Sequence, residues 1–233
     1  ITSATLRSLG NFNTLKRETG IPDSAQFLSV AGAFNYAEAA TLSVPKDCIE
    51  GNAIYEHTDY ITDNLADMVE SRGGTLVLFS SRRQMDEVYD RLDTDLQQIC
   101  LVQGKYSNRE MVRLHKERVD QGKTSVLIGL ASFAEGVDLP GDYCKHVIIA
   151  KLPFMVPDDP LHEALSEWIE DKGGNSFFDI ALPIASLRLI QACGRLLRTE
   201  SDTGTVSILD KRLITKRYGA QLIDALPPFR RQL

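Results

Sequence analysis

Gln191, Arg195 and Arg198, set four and then three residues apart, are the side chains whose types and spacing best suit chemistry on a phosphate. A guanidinium is planar, always charged, and presents a fork that matches two phosphate oxygens. The string Gln191-Ala192-Cys193-Gly194-Arg195-Leu196-Leu197-Arg198 lies in an apolar-periodic stretch that predicts one helix from Ala181 to about Thr199. On such a helix the three polar side chains project from one edge, beside an apolar face of Leu187, Ile190, Cys193 and Leu197. Gly194 lets a ligand or a second backbone come close. The alternative is a solvated face on which Arg198 pairs with Glu200 or Asp202.

Further candidates follow the apolar runs. Ser80-Ser81-Arg82-Arg83 follows Leu76–Phe79, Gln103-Gly104 follows Ile99–Val102, and Glu135-Gly136-Val137-Asp138 comes just after Ser125–Leu130. Strand-to-helix turns favour Ser, Gly and Asp for structural reasons alone. Three such turns, all expected at the carboxyl ends of strands where open α/β sheets bind ligands, favour contact with phosphates. The absent motifs narrow the chemistry. No G-x-x-x-x-G-K-[ST] loop, no acidic pair after a strand, no G-x-S-x-G and no cysteine nucleophile motif occurs. Arginines for a phosphate, with nothing to hold the rest of a nucleotide, describe one half of a two-part NTPase.

These residues need a scaffold, and the chain has the length for one. It has 233 residues, 43% hydrophobic and 25% charged, as in an ordinary globular domain. A net charge of −6 argues against coating nucleic acid by bulk charge, and leaves room for a local basic groove. Cys48, Cys100, Cys144 and Cys193 form no C-x-x-C pair, and His57, His115, His146 and His162 have no metal-ligand spacing. A reduced, cytosolic setting without a cysteine-held metal is expected, and no apolar run is long enough to span a membrane. The first residue, Ile1, points to a piece of a longer chain.

Residues 1–34 read as a connecting piece, with a short helix through Phe12 and Leu15 that ends at Gly20. Strands are expected at Ala39–Val44, Leu76–Phe79, Ile99–Val102, Ser125–Leu130, His146–Ala150 and Thr205–Leu209. Helices are expected at Thr58–Glu70, Gln84–Leu92, Ser107 to about Gln121, around Leu161, Leu165 and Trp168 after a loop with Pro153, Pro157 and Pro160, and at Thr215–Leu226. Ser107-Asn108-Arg109-Glu110 has the form of a capping box. Strands alternating with helices predict an α/β fold with a mostly parallel sheet covered on both faces.

With these residues in view, nearly the whole chain resembles the second motor domain of DinG-type helicases, bacterial relatives of XPD in helicase superfamily 2. Thr2-Ser3-Ala4-Thr5-Leu6 resembles the S-A-T motif that ends the first motor domain, and Leu76-Val77-Leu78-Phe79-Ser80-Ser81 resembles motif IV. Ser132-Phe133-Ala134-Glu135-Gly136-Val137-Asp138-Leu139-Pro140-Gly141-Asp142 is close to motif V, and Gln191 to Arg198 to motif VI. Lys151-Leu152-Pro153-Phe154, Asp159-Pro160-Leu161 and Leu209-Asp210-Lys211-Arg212 resemble this branch in particular.

The resemblance implies a RecA-like parallel sheet sandwiched between helices and lacking its own P-loop. Residues 1–34 would be the end of the first motor domain and a connector, and 35–233 the helicase C-terminal domain. It implies 5′ to 3′ unwinding with ATP and Mg²⁺, with Arg195 and Arg198 reaching the γ-phosphate and Gln191 helping to place phosphate or water. It assigns Glu135, Gly136 and Asp138 to ATP, and Ser80, Ser81, Arg82, Gln103 and Ser132 to single-stranded or forked DNA. Ser3 and Thr5 would couple the halves. An iron–sulfur cluster, where a relative carries one, belongs to the first motor domain. The setting implied is the bacterial cytosol, with a first motor domain of the same chain as partner. The chain alone is expected to be inactive. The competing reading is a DNA- or protein-binding module derived from a helicase that lost its motor, and a P-loop upstream of Ile1 would exclude it.

Overall fold

The computed structural model describes residues 1–3, 5–69, 72–155 and 160–233. Of the positions named above, Ala4, Glu70, Pro157 and Asp159 lie outside these, as do the side chains of Ala134 and Glu135.

The first half comprises α1 (Asn13–Thr19), α2 (Tyr36–Ala39), β1 (Ala40–Ser43), α3 (Ile54–Met68), β2 (Gly74–Phe79), α4 (Arg82–Arg91), α5 (Thr94–Ile99) and β3 (Cys100–Val102). There follow α6 (Asn108–Asp120), β4 (Ser125–Leu130), α7 (Ala131–Glu135), a 3₁₀ turn at Gly141–Tyr143, β5 (His146–Ile149) and α8 (Pro160–Asp171). A π-helical turn at Phe177–Ala181 leads into α9 (Leu182–Cys193), then β6 (Gly204–Ile208), α10 (Arg212–Thr215), α11 (Arg217–Ala225) and β7 (Arg230–Gln232).

The strands form one sheet in the order β3-β4-β2-β5-β6-β1-β7. Every pairing among them is parallel, and Gly74 opposite Ser125 with Thr75 opposite His146 places β4, β2 and β5 side by side. The fold is thus the expected RecA-like sheet, and β2 is buried along its whole length, as its apolar run required. Alternate residues of each central strand feed opposite faces. Leu76, Leu78, Leu127, Val147 and Ile149 pack with Met111 of α6, Phe133 of α7, Leu189 of α9 and Leu222 of α11. Val77, Phe79, Val126, Ile128 and Ile148 pack with Ile61 and Leu65 of α3, Met85 and Val88 of α4 and Leu96 of α5.

The elements differ from expectation where tertiary contacts override local pattern. The helix expected from Ala181 to Thr199 stops at Cys193, with Gly194 as its C-cap. The backbone N–H groups of Arg198 and Thr199 donate to the Asp202 carboxylate, at 2.7 and 2.8 Å, and so leave the helical ladder. The seventh strand, β7, is exposed at every residue, so its polar sequence carried no apolar signal for an edge strand beside β1. The expected capping box forms by half. Ser107 Oγ accepts from the Glu110 N–H at 3.2 Å, while the Glu110 carboxylate turns to Arg113.

Candidate functional site

Although α9 ends before them, the two arginines converge. Arg195 Nη1 and Arg198 Nη2 donate to the same carbonyl, that of Val137, at 3.1 and 3.3 Å. Arg198 Nε also lies 3.4 Å from Asp138 Oδ1. The predicted pair therefore meets through the bend after α9, not through a shared helical edge. Gln191, on the last turn of α9, donates through Nε2 to Thr5 Oγ1 at 3.3 Å, and the Thr5 N–H donates to Ser3 Oγ at the same distance. A cleft of about 650 Å³ opens here, lined by Gln191, Arg195 and Arg198 together with Phe34, Tyr36 and Phe229. Gly136 is exposed with open space where a side chain would be, and Gly194 makes no close approach to another segment.

The alternative partner for Arg198 also takes a different form. Asp202 is 2% exposed and binds the backbone of Arg198, not its guanidinium. Its Oδ2 accepts from the Arg198 and Thr199 N–H groups, and its Oδ1 from Thr199 Oγ1 at 2.6 Å and the Gly141 N–H at 3.0 Å. Burial pushes this carboxyl up, yet the bonds from Thr199, Arg198 and Gly141 outweigh it and hold the pKa below the ordinary aspartate value.

The polar turns do not share one edge of the sheet. Arg82 Nη1 donates to the Gln103 carbonyl at 2.7 Å, and Gln103 Oε1 accepts from the Leu130 N–H at 2.8 Å, so these turns meet at the carboxyl ends of β2, β3 and β4. Ser80 and Ser132 are exposed there, whereas Ser81 Oγ is engaged as the N-cap of α4, accepting from Gln84 N. The third turn behaves otherwise. Because β4 and β5 are parallel, the chain after α7 must run back across the height of the sheet, which carries Val137 and Asp138 away from that edge. Gly141 and Asp202 lead into the amino ends of β5 and β6.

Sequence reasoning missed part of the carboxyl edge. A pocket of about 170 Å³ is lined there by Ser81, Arg83, Gln84, Lys151 and the exposed Tyr55. Burial and the nearby Arg212 lower the Lys151 pKa. Asp210, with no exposed surface, accepts from the N–H groups of Gly51 and Leu152 and pairs with the Arg212 guanidinium at 2.7 Å. Lys151 and Asp210 stood in motifs already read from the sequence, but only the fold joins them.

The four cysteines are buried, and burial pushes the thiols of Cys100, Cys144 and Cys193 up to about 12 and Cys48 to about 11. Among the described residues no three His, Cys, Asp or Glu side chains gather as metal ligands, and no helix is long and apolar enough to cross a membrane.

Comparison with known proteins places the chain in a family and matches its fold. Residues 65–229 match the model of the helicase C-terminal domain family. The ATP-dependent DNA helicase DinG of Photobacterium profundum is 44% identical over 99% of this chain and 34% of its own length. That of Escherichia coli K12 is 41% identical over 98% and 33%. The chain therefore spans about a third of the length of these relatives. Among solved structures, Xpd4 of S. tokodaii superposes with a TM-score of 0.62 at 16% identity, covering 92% of this chain and 42% of that one. An apo XPD structure gives 0.57 at 22% identity, covering 85% and 40%.

Proposed function

Because the chain belongs to the helicase C-terminal domain family, in its DinG-type branch, we propose that it is the second motor half of an ATP-dependent DNA helicase that unwinds 5′ to 3′. Arg195 and Arg198 are its catalytic cations, facing the γ-phosphate of ATP held between this domain and a first motor domain. The observation that carries this reading is their convergence on the Val137 carbonyl while both arginines line the cleft that Gln191 also lines. The Val137 carbonyl is a neutral acceptor and Asp138 adds a carboxylate 3.4 Å from Arg198, so a phosphate oxygen would compete with both for these donors. As charge shifts at the transferring phosphoryl group, fixed guanidiniums stabilise the transition state more than the ground state.

The other half of the site lies elsewhere. This chain has donors for the terminal phosphate, but neither a P-loop nor clustered carboxylates among the described residues for Mg²⁺. Mg²⁺ would neutralise phosphate charge from the first domain. Nor do the dispersed, buried cysteines suit an iron–sulfur cluster, so such a cluster would be held outside this chain. Thr5, bonded to Gln191, couples the cleft to residues 1–34, the end of the first domain and connector. Gly136 and Asp138 border the nucleotide, and Glu135 falls beside them in sequence. The carboxyl edge, with Ser80, Ser81, Arg82, Gln103 and Ser132, forms part of the single-stranded DNA track in the bacterial cytosol. The isolated chain would not hydrolyse ATP.

The test is Arg198→Ala, and separately Arg195→Ala, in the full-length helicase. DNA-stimulated ATP hydrolysis should fall by roughly 10³-fold or more. ATP affinity should fall less, melting temperature should hold, and lysine should rescue poorly because it lacks the fork. A well-folded Arg198→Ala protein that hydrolyses ATP at the parental rate would remove Arg198 from the site.

A further inference from the structure

We propose that Asp202 is a positioning residue for Arg198, holding in one geometry the two chain segments between which its guanidinium acts. This rests on the nucleotide reading of Arg195 and Arg198 given above. The carboxylate takes two donors from the segment that carries Arg198, namely the N–H groups of Arg198 and Thr199, and a third from the Thr199 hydroxyl. Its fourth donor, the Gly141 N–H, comes from a segment 61 residues away in sequence. That second segment also carries Val137, whose carbonyl receives both guanidiniums, and Asp138, which faces Arg198. The contacts close a ring. It runs from the Arg198 side chain to Val137, along the chain to Gly141, through the Asp202 carboxylate, and back to the Arg198 backbone.

The chemistry of the hub suits an ionised carboxylate. It accepts four hydrogen bonds while 2% exposed, and no cation is among these partners. An arginine side chain is long and rotamer-rich, so its head is only as well placed as its backbone. A serine or asparagine would cap the turn, yet neither offers two acceptor oxygens to donors from both segments. A displacement of about 1 Å in a group that meets the transition state can cost on the order of 100-fold in rate. Asp202 therefore acts on catalysis through Arg198, touching no substrate itself.

The experiment compares Asp202→Asn, Arg198→Ala and the double variant in the full-length helicase. In Asp202→Asn one acceptor oxygen becomes an NH₂ group facing N–H donors. The expected result is a fall of roughly 10- to 100-fold in kcat for DNA-stimulated ATP hydrolysis, with KM for ATP changed by less than about threefold. The double variant should be no slower than Arg198→Ala alone, because one acts through the other. A folded Asp202→Asn protein with parental kcat, or losses that multiply in the double variant, would overturn the positioning role. Should Asp202→Asn fail to fold, Thr199→Val removes a single donor to the carboxylate and Thr199→Ser restores it. A lowered kcat in the valine variant that serine recovers supports the role, and a parental kcat in the valine variant refutes it. Arg198→Ala at the parental rate would instead sink the nucleotide reading, and this proposal with it. A slow Arg198→Ala beside a fast Asp202→Asn sinks the positioning role alone.

Discussion

Two buried aspartates do different work with similar chemistry. Asp202 gathers backbone donors, whereas Asp210 sets a full ion pair at the carboxyl edge, with Arg212 Nε and Nη2 both on the carboxylate and Phe154 5.5 Å beneath the guanidinium. Burial pushes the Asp210 carboxyl up, but Arg212 and the N–H groups of Gly51 and Leu152 outweigh that and hold it below the ordinary value. Asp210→Asn should leave the largely buried Arg212 without its anion and cost about 3 kcal/mol, read as a lowered urea midpoint with unchanged slope. An unchanged midpoint would show that Arg212 finds another partner. Residue identities at both sites were legible: Gln191, Arg195 and Arg198 stand in one short motif, and Asp210 and Arg212 in another. Asp202 was read only as an alternative ion partner, because the donor that reveals its role, Gly141, is 61 residues distant.

At the scale of elements, the bend between α9 and β6 decides where the arginines point. Leu196, with no exposed surface, packs against the start of β6, where a side chain on Gly204 would sit 2.8 Å from Leu196 Cδ1 and 2.1 Å from the Lys145 carbonyl. That carbonyl accepts from the Thr205 N–H at 3.0 Å, the bond that starts the β5–β6 ladder. Gly204→Ala should therefore force β6 away from β5 and cost about 1–3 kcal/mol. Hydrogen exchange at Thr205 should accelerate, and protection equal to the parent would contradict the close approach. Periodicity located α9 and its apolar face but ran on to Thr199, since a local pattern carries no record of a carboxylate that captures two N–H groups. The same limit hid β7, whose exposed Arg230-Arg231-Gln232 pairs only because β1 offers an open edge.

Across the whole molecule the sheet separates two polar clusters. The arginine cluster lies on the return path toward the amino ends of β5 and β6, and the Arg82–Gln103 cluster at the carboxyl ends of β2 and β3. The packing that holds them apart should depend on pH. His115, with no exposed surface, bridges α6 to Ser125 of β4 and to the Tyr143 carbonyl. Burial holds its pKa down to about 4, and buried His57 is lowered in the same way. These folded-state values lie below the unfolded value of about 6.5, so between the two the unfolded chain binds protons that the native chain refuses. Stability should be full above about pH 6.5 and fall toward pH 4, with His115 contributing on the order of 3 kcal/mol. Urea titrations across that range check this, and His115→Gln should flatten the slope. From the sequence alone came the α/β class, the central strands, the helicase family and the arginine motif. These rest on apolar runs, alternation and short contiguous strings, which are local properties. The tertiary structure alone decided the seventh strand, the split of the polar turns between two regions, the meeting of both arginines on Val137, and the Asp202 hub. Each depends on which distant backbone groups need partners once the sheet is built, and no window along the chain contains both halves of such a contact.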